Sequence, residues 1–139
     1  MDLEISQGSK RWYISCVYGN PRQNLRHLLL EKLSNIGVNR KAAWCMIGDF
    51  NEIMSNKEKL GGPYRVESSF QDFKNMLSSC DMHELGGTRN SFTSGGTRNE
   101  EWIQCRLDRC FGNHSGFLCF LIHINGFWRN LDLITDRFW

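Results

Sequence analysis

The residues best suited to chemistry lie in Trp44-Cys45-Met46-Ile47-Gly48-Asp49-Phe50-Asn51-Glu52. An apolar run ends in a glycine, and a carboxylate and an amide follow two positions apart. The run over 44–47 reads as a buried strand, with Gly48 as its exit. Asp49 and Asn51 then stand just beyond the carboxyl end of a strand, where the ligand sites of open α/β sheets collect. One carboxylate and one amide in that place suit orienting a water and holding a phosphate oxygen. The pattern points to hydrolysis of a phosphate ester. The same two residues also read as a plain Asx turn closing a strand.

The elements that must position this pair are legible on both sides of it. Residues 11–18 are rich in aromatic and β-branched types and read as a strand. Gly19-Asn20-Pro21 ends it and opens a helix, with Asn20 as N-cap, Pro21 at the first helical position and Gln23 completing a capping box. Leu25, Leu28, Leu29, Leu33 and Ile36 fall on one helical face, and Gly37 is the expected stop. A polar loop over 52–67 holds Gly61-Gly62-Pro63. Ser68 then begins a second helix, with Gln71 again at capping-box spacing and a buried stripe of Phe70, Phe73, Leu77 and Cys80. The order strand, helix, strand, helix predicts an α/β layered fold.

Beyond residue 80 the pattern changes. Gly86-Gly87-Thr88-Arg89-Asn90 recurs as Gly95-Gly96-Thr97-Arg98-Asn99 around Ser91-Phe92-Thr93-Ser94. Two copies are too few for a repeat architecture, so Gly-rich turns bracketing a short strand is the preferred reading. Residues 101–111 read as a further strand carrying Arg106-Leu107-Asp108-Arg109. From 114 to 139 no period is convincing.

Composition restrains the functional classes. The 139 residues suit one domain with a real core, and 40% hydrophobic content argues against disorder. A net charge of +2 is far from the strong positive field of a dedicated nucleic-acid binder, so contact with nucleic acid is permitted rather than demanded. The six cysteines form no C-x-x-C pair and no histidine stands at zinc-ligand spacing. They read as reduced, buried residues of an intracellular protein. No stretch has the length of a membrane span, and no membrane partner is expected.

Five pieces, in this order, resemble one family: Val17-Tyr18-Gly19-Asn20-Pro21, Ile47-Gly48-Asp49-Phe50-Asn51-Glu52, Lys57-Glu58-Lys59-Leu60-Gly61-Gly62, Phe92-Thr93 and Arg106-Leu107-Asp108-Arg109. Over about residues 10–113 the chain resembles the endonuclease/exonuclease/phosphatase superfamily, and within it the endonuclease domain of plant LINE-type non-LTR retrotransposons. The resemblance implies an α/β fold of the two-sheet sandwich type, a divalent metal (usually Mg2+) and DNA as partner, with the nucleus as one location. It implies that Asp49 orients or deprotonates the attacking water and that Asn51 steadies Asp49 and a phosphate oxygen. Tyr18 and Asn20 match the phosphate-side tyrosine and asparagine, and Asp108 matches the carboxylate that orients a catalytic histidine. Read without the resemblance, Tyr18 is a strand-end aromatic, Asn20 a helix cap and Asp108 an ion-paired strand residue.

The chain also departs from that pattern. Only residues 1–10 precede the Tyr18 strand, so the family's early Asn and metal-binding Glu have no counterpart. The closing Ser-Asp-His triplet, with its metal-side Asp and catalytic His, does not occur. His114 and His123 stand outside the matched region, and Phe92-Thr93-Ser94 replaces the usual Phe-Thr-Trp. The expected organisation is a partial domain over 1–113 lacking its N-terminal part, followed by a tail over 114–139. A shifted reading of the codons beneath Asp132-Leu133-Ile134-Thr135 permits Ser-Asp-His, so the tail reads as out-of-frame. The expected function is a catalytically incomplete fragment of a metal-dependent phosphodiesterase that by ancestry cuts DNA. Its alternatives are a non-catalytic nucleic-acid-binding remnant, with Arg89 and Arg98 as basic contacts, and an active Mg2+-dependent phosphodiesterase completed by another chain.

Overall fold

A computed structural model describes residues 1–85, 92–98 and 100–117. The fold is α/β, and the described residues form two sheets. Strands β1 (Asp2–Gln7), β2 (Lys10–Tyr18), β3 (Ala43–Asp49), β5 (Met82–Glu84) and β8 (Asp108–Asn113) form a five-stranded sheet in the order β1-β2-β3-β8-β5. Strands β4 (Lys59–Leu60), β6 (Ser94–Arg98) and β7 (Glu101–Cys105) form a three-stranded antiparallel sheet in the order β4-β7-β6. Helices α1 (Arg26–Asn39) and α2 (Gln71–Ser79) pack on one face of the large sheet, and residues 114–117 are also helical. No helix among the described residues is long and apolar enough to cross a membrane.

Strand β1 has no forerunner in the sequence reading. It pairs antiparallel with β2 through a two-residue turn in which Gly8 takes a φ of 61°, the left-handed conformation that tight hairpins require. β2 and β3 run parallel. A parallel pair needs a crossover, and α1 supplies it.

The core lies between one face of the large sheet and the two helices. Trp44 and Met46 of β3, two apart and therefore on one face, join Val17, Phe111, Met82, Leu30, Leu33, Phe73, Met76 and Leu77. Phe50, Phe73 and Phe111 meet with ring centroids 5.2–6.0 Å apart, two of the three contacts edge-on, a geometry that aromatic quadrupoles favour. The stripe Phe70, Phe73, Leu77 and Cys80 is buried as expected.

Several local expectations are corrected. The first helix starts later than Pro21: a 3-10 turn over Gln23–Leu25 comes first, and no side chain caps it or α1. Asn20 nevertheless accepts the Arg22 N–H at 2.9 Å, which is a cap-like bond to a turn. Leu28 is exposed, and Leu30 takes its place in the core. Gly37 is inside α1; a Cβ there would lie 2.4 Å from Cys80 Sγ, so it lets α1 and α2 approach. The second helix also begins with a 3-10 turn, Glu67–Phe70, and has no capping box at Gln71. The second Gly-Gly-Thr-Arg copy is strand, not turn. The stretch 101–111 is split: β7 and β8 belong to different sheets, and the chain changes sheet at Arg106-Leu107. The first Gly-rich copy with Arg89, the segment 118–139 with His123, and the Arg98 side chain lie outside the described residues.

Candidate functional site at the end of the large sheet

β3 runs two residues further than expected, through Gly48 to Asp49. Gly48 stays paired although its φ is 137°, and a Cβ there would fall 2.1 Å from the Val17 carbonyl oxygen. Only glycine fits that close approach. The Gly19 N–H donates to the Asp49 carbonyl at 2.6 Å, which ties the ends of β2 and β3 together. Phe50 then drops into the core, its N–H donating to the Leu107 carbonyl at 3.0 Å.

This path turns Asn51 back onto Asp49. Asn51 takes a φ of 51°, a left-handed conformation that Asn tolerates better than most residues. Its backbone N–H donates to Asp49 Oδ1 at 2.6 Å and its Nδ2 donates to Asp49 Oδ2 at 3.0 Å. The same Nδ2 donates to the Gly19 carbonyl at 2.9 Å. The Asx turn is therefore present, and with it a two-point clasp on the Asp49 carboxylate. Each carboxylate oxygen keeps a further lone-pair site free for another donor.

Tyr18, Asp49 and Asp108 form one row across three strands. Tyr18 stands opposite Asp49 in the β2–β3 register, and Asp49 opposite Asp108 in the β3–β8 register. Tyr18 is 72% exposed, so its ring and hydroxyl face solvent at the sheet end. Asn20 is one residue beyond Gly19, with its carbonyl accepting Arg26 Nε at 3.1 Å and its side chain committed to the Arg22 N–H. All five residues singled out in the sequence thus gather at one end of the large sheet.

Charge at this end is balanced by position. Burial raises the Asp49 carboxyl above its ordinary range; the Asn51 N–H opposes this, the Asp108 charge adds to it, and Arg26 and the Asn51 amide pull back. Asp108 is anchored through its backbone. Thr93 Oγ1 accepts both the Leu107 and the Asp108 N–H at 2.9 Å. That bond explains why Phe92-Thr93 accompanies Arg106-Leu107-Asp108-Arg109.

Two buried ion-pair networks support the site. Glu52, only 5% exposed, accepts from Arg26 Nη1 at 3.1 Å, from Arg65 Nη1 at 2.5 Å and from the Ile53 N–H at 3.0 Å. Arg109 is paired with Glu58, and with Glu84 at 3.1 Å, while Arg106 also reaches Glu84 at 2.8 Å. Glu58 further accepts the Met54 N–H at 2.6 Å. The Glu58–Arg109 pair joins the 3-10 turn over Asn56–Glu58 to β8. Sequence reasoning missed the inward turn of Glu52 and the partnership of Arg65. Glu52 follows Asn51 directly, but its direction depends on the Asn51 backbone conformation, and no local signal marks Arg65.

Magnesium takes oxygen ligands in strict octahedral geometry. Asp49 and Asp108 are the carboxylates at the sheet end, and Glu52 is committed to two guanidinium groups. Among the described residues no group of three His, Cys, Asp or Glu is placed to hold a metal. No family model matches the chain, and no curated protein matches it significantly.

Proposed function

We propose that this chain carries the water-orienting and phosphate-facing part of a metal-dependent phosphodiesterase of the endonuclease/exonuclease/phosphatase type, resembling the LINE endonuclease domain, and that it is catalytically incomplete. One observation supports this reading above the others. Tyr18, Asp49 and Asp108 share one cross-strand row, with Asn51 clasping the Asp49 carboxylate beside it. A carboxylate held at both oxygens is oriented in advance, which is what a group positioning a water requires. Tyr18, exposed at the same sheet end, offers a hydroxyl donor suited to a phosphodiester oxygen, and DNA is the substrate class that the resemblance implies.

Two features of the described residues support the incomplete reading. Metal-assisted phosphodiester cleavage needs a bound cation, an activated water and stabilisation of the developing charge. Glu52 faces inward onto Arg26 and Arg65, and burial, with the Asp108 charge adding to it, raises the Asp49 carboxyl above its ordinary range. Members of such a constellation act as a unit, so loss of one already costs orders of magnitude. Nicking of supercoiled plasmid with Mg2+ tests the reading. Wild type and Asp49→Ala are expected to give the same background. Nicking that disappears in Asp49→Ala would overturn the claim of incompleteness.

A further inference from the structure

Opposite the helix-covered face of the large sheet, Cys45 and Cys110 meet. Their sulfurs are 3.5 Å apart. The register sets Cys110 opposite Ile47 and Cys45 opposite Gly112, so the two are diagonal neighbours on adjacent antiparallel strands. Gly112 has no side chain to stand between Cys45 and the next strand position. Both residues are free thiols; Cys45 is 3% exposed, and Cys110 is partly exposed.

We propose that Cys45 and Cys110 are a reversible redox pair that closes to a disulfide bridging β3 and β8. The oxidant is a small peroxide. Cys110, the more accessible sulfur, attacks a peroxide oxygen as thiolate; the O–O bond breaks, leaving a sulfenic acid on Cys110 and one water after proton uptake. Cys45 sulfur then attacks Cys110 sulfur, the S–O bond breaks, and the Cys45 proton leaves with the departing hydroxide as a second water. Two thiols lose two electrons and hydrogen peroxide becomes two waters. A dithiol reductant reverses the change.

The order of events follows from the surroundings. Cys45 is buried and Cys110 partly exposed, so peroxide meets Cys110 first; the Cys110 contact and burial hold the Cys45 thiol protonated, and it gives up that proton as it attacks the sulfenic sulfur. Diagonal positions are wider than a relaxed disulfide prefers, so the bridge draws the strands together and stays easily reduced. The Asp49–Asp108 rung is the next same-face rung after Ile47–Cys110, so oxidation tightens the sheet end that holds both carboxylates. The proposal stands apart from the phosphodiester reading and survives its failure.

Peptide mapping of the reduced full chain after hydrogen peroxide treatment and alkylation tests it. The free-thiol count is expected to fall from six to four, with a Cys45–Cys110 cross-linked peptide that dithiothreitol removes. Cys45→Ala and Cys110→Ala are each expected to abolish that loss of two thiols, while Cys16→Ser leaves it intact. The wild-type map decides the matter even if a variant folds poorly. An unchanged thiol count, a bridge through Cys16, Cys80 or Cys119, or Cys110 driven to sulfinic acid without ever being linked would each overturn the proposal.

Discussion

Replacing Glu52 by Ala separates a buried structural carboxylate from an exposed site carboxylate. Glu52 is nearly inaccessible and touches Arg26 Nη1 at 3.1 Å and Arg65 Nη1 at 2.5 Å. At an effective dielectric of about 20, each contact is worth roughly 5 kcal/mol before desolvation. Desolvation offsets most of that, and removing one partner of a buried pair costs about 3–5 kcal/mol because the remaining charge is stranded. The Arg26 and Arg65 side chains are 14% and 20% exposed, so both guanidinium groups regain some water when Glu52 is gone. The expected net loss is therefore about 3 kcal/mol, including the Ile53 N–H bond. For a chain of this length that corresponds to a fall of about 10 °C in Tm. Glu52→Gln keeps the shape and an acceptor and loses the charge, so about half the effect is expected. Urea unfolding followed by tryptophan fluorescence measures both. A loss below about 0.5 kcal/mol in Glu52→Ala, the range of ordinary surface changes, would refute the reasoning.

Other consequences are equally direct. Asp108→Asn removes a neighbouring negative charge and is expected to lower the Asp49 titration in a carboxyl-detected NMR series, whereas Asn51→Ala removes an amide donor and raises it. Because the folded Asp49 carboxyl titrates above its unfolded value, its contribution to stability is full below the unfolded value and is lost as pH rises through the folded one. Relative to wild type, Asp49→Asn is accordingly expected to be more stable at neutral pH than in acid, on top of a pH-independent cost from the acceptor that one Asn51 donor loses. Asp2 behaves oppositely: Arg40 holds its carboxyl below the ordinary range, so its contribution is present above the unfolded value and lost as pH falls through the folded one, and Asp2→Asn should flatten the acid limb of the stability curve. Gly48→Ala places a Cβ 2.1 Å from the Val17 carbonyl oxygen and is expected to cost more than about 3 kcal/mol in the same urea assay. Thr93→Val removes the acceptor of two exposed N–H groups and is expected to cost about 1 kcal/mol.

Elements built on local pattern were legible in the sequence, and those built on distant partners were not. The β2 strand, both helices and the α2 stripe follow from periodicity, and the Gly48-Asp49-Phe50-Asn51 element reads directly as a strand end carrying polar groups. The Asp49–Asp108 rung did not follow from spacing, because its register is set by pairing between strands 59 residues apart in sequence. The break at Arg106-Leu107 was missed because a run of strand-forming residues gives no sign that it serves two sheets. Leu30 rather than Leu28 lies in the core, because a run of three leucines over 28–30 does not by itself say which of them faces inward. The inward turn of Glu52 depends on the left-handed Asn51, a conformation that the residue type permits without demanding. The Thr93 hydroxyl spanning two N–H groups needed the fold before its place beside Asp108 had a physical reason.

The central claim is that Tyr18, Asp49, Asn51 and Asp108 form one phosphodiester-facing surface. Amide chemical-shift mapping of the full chain with a short DNA duplex and Mg2+ tests it most directly. Shifts confined to the ends of β2, β3 and β8, at Tyr18, Gly19, Asp49, Asn51 and Asp108, and weakened by added salt, are the predicted result. Shifts elsewhere with that sheet end unmoved would contradict it.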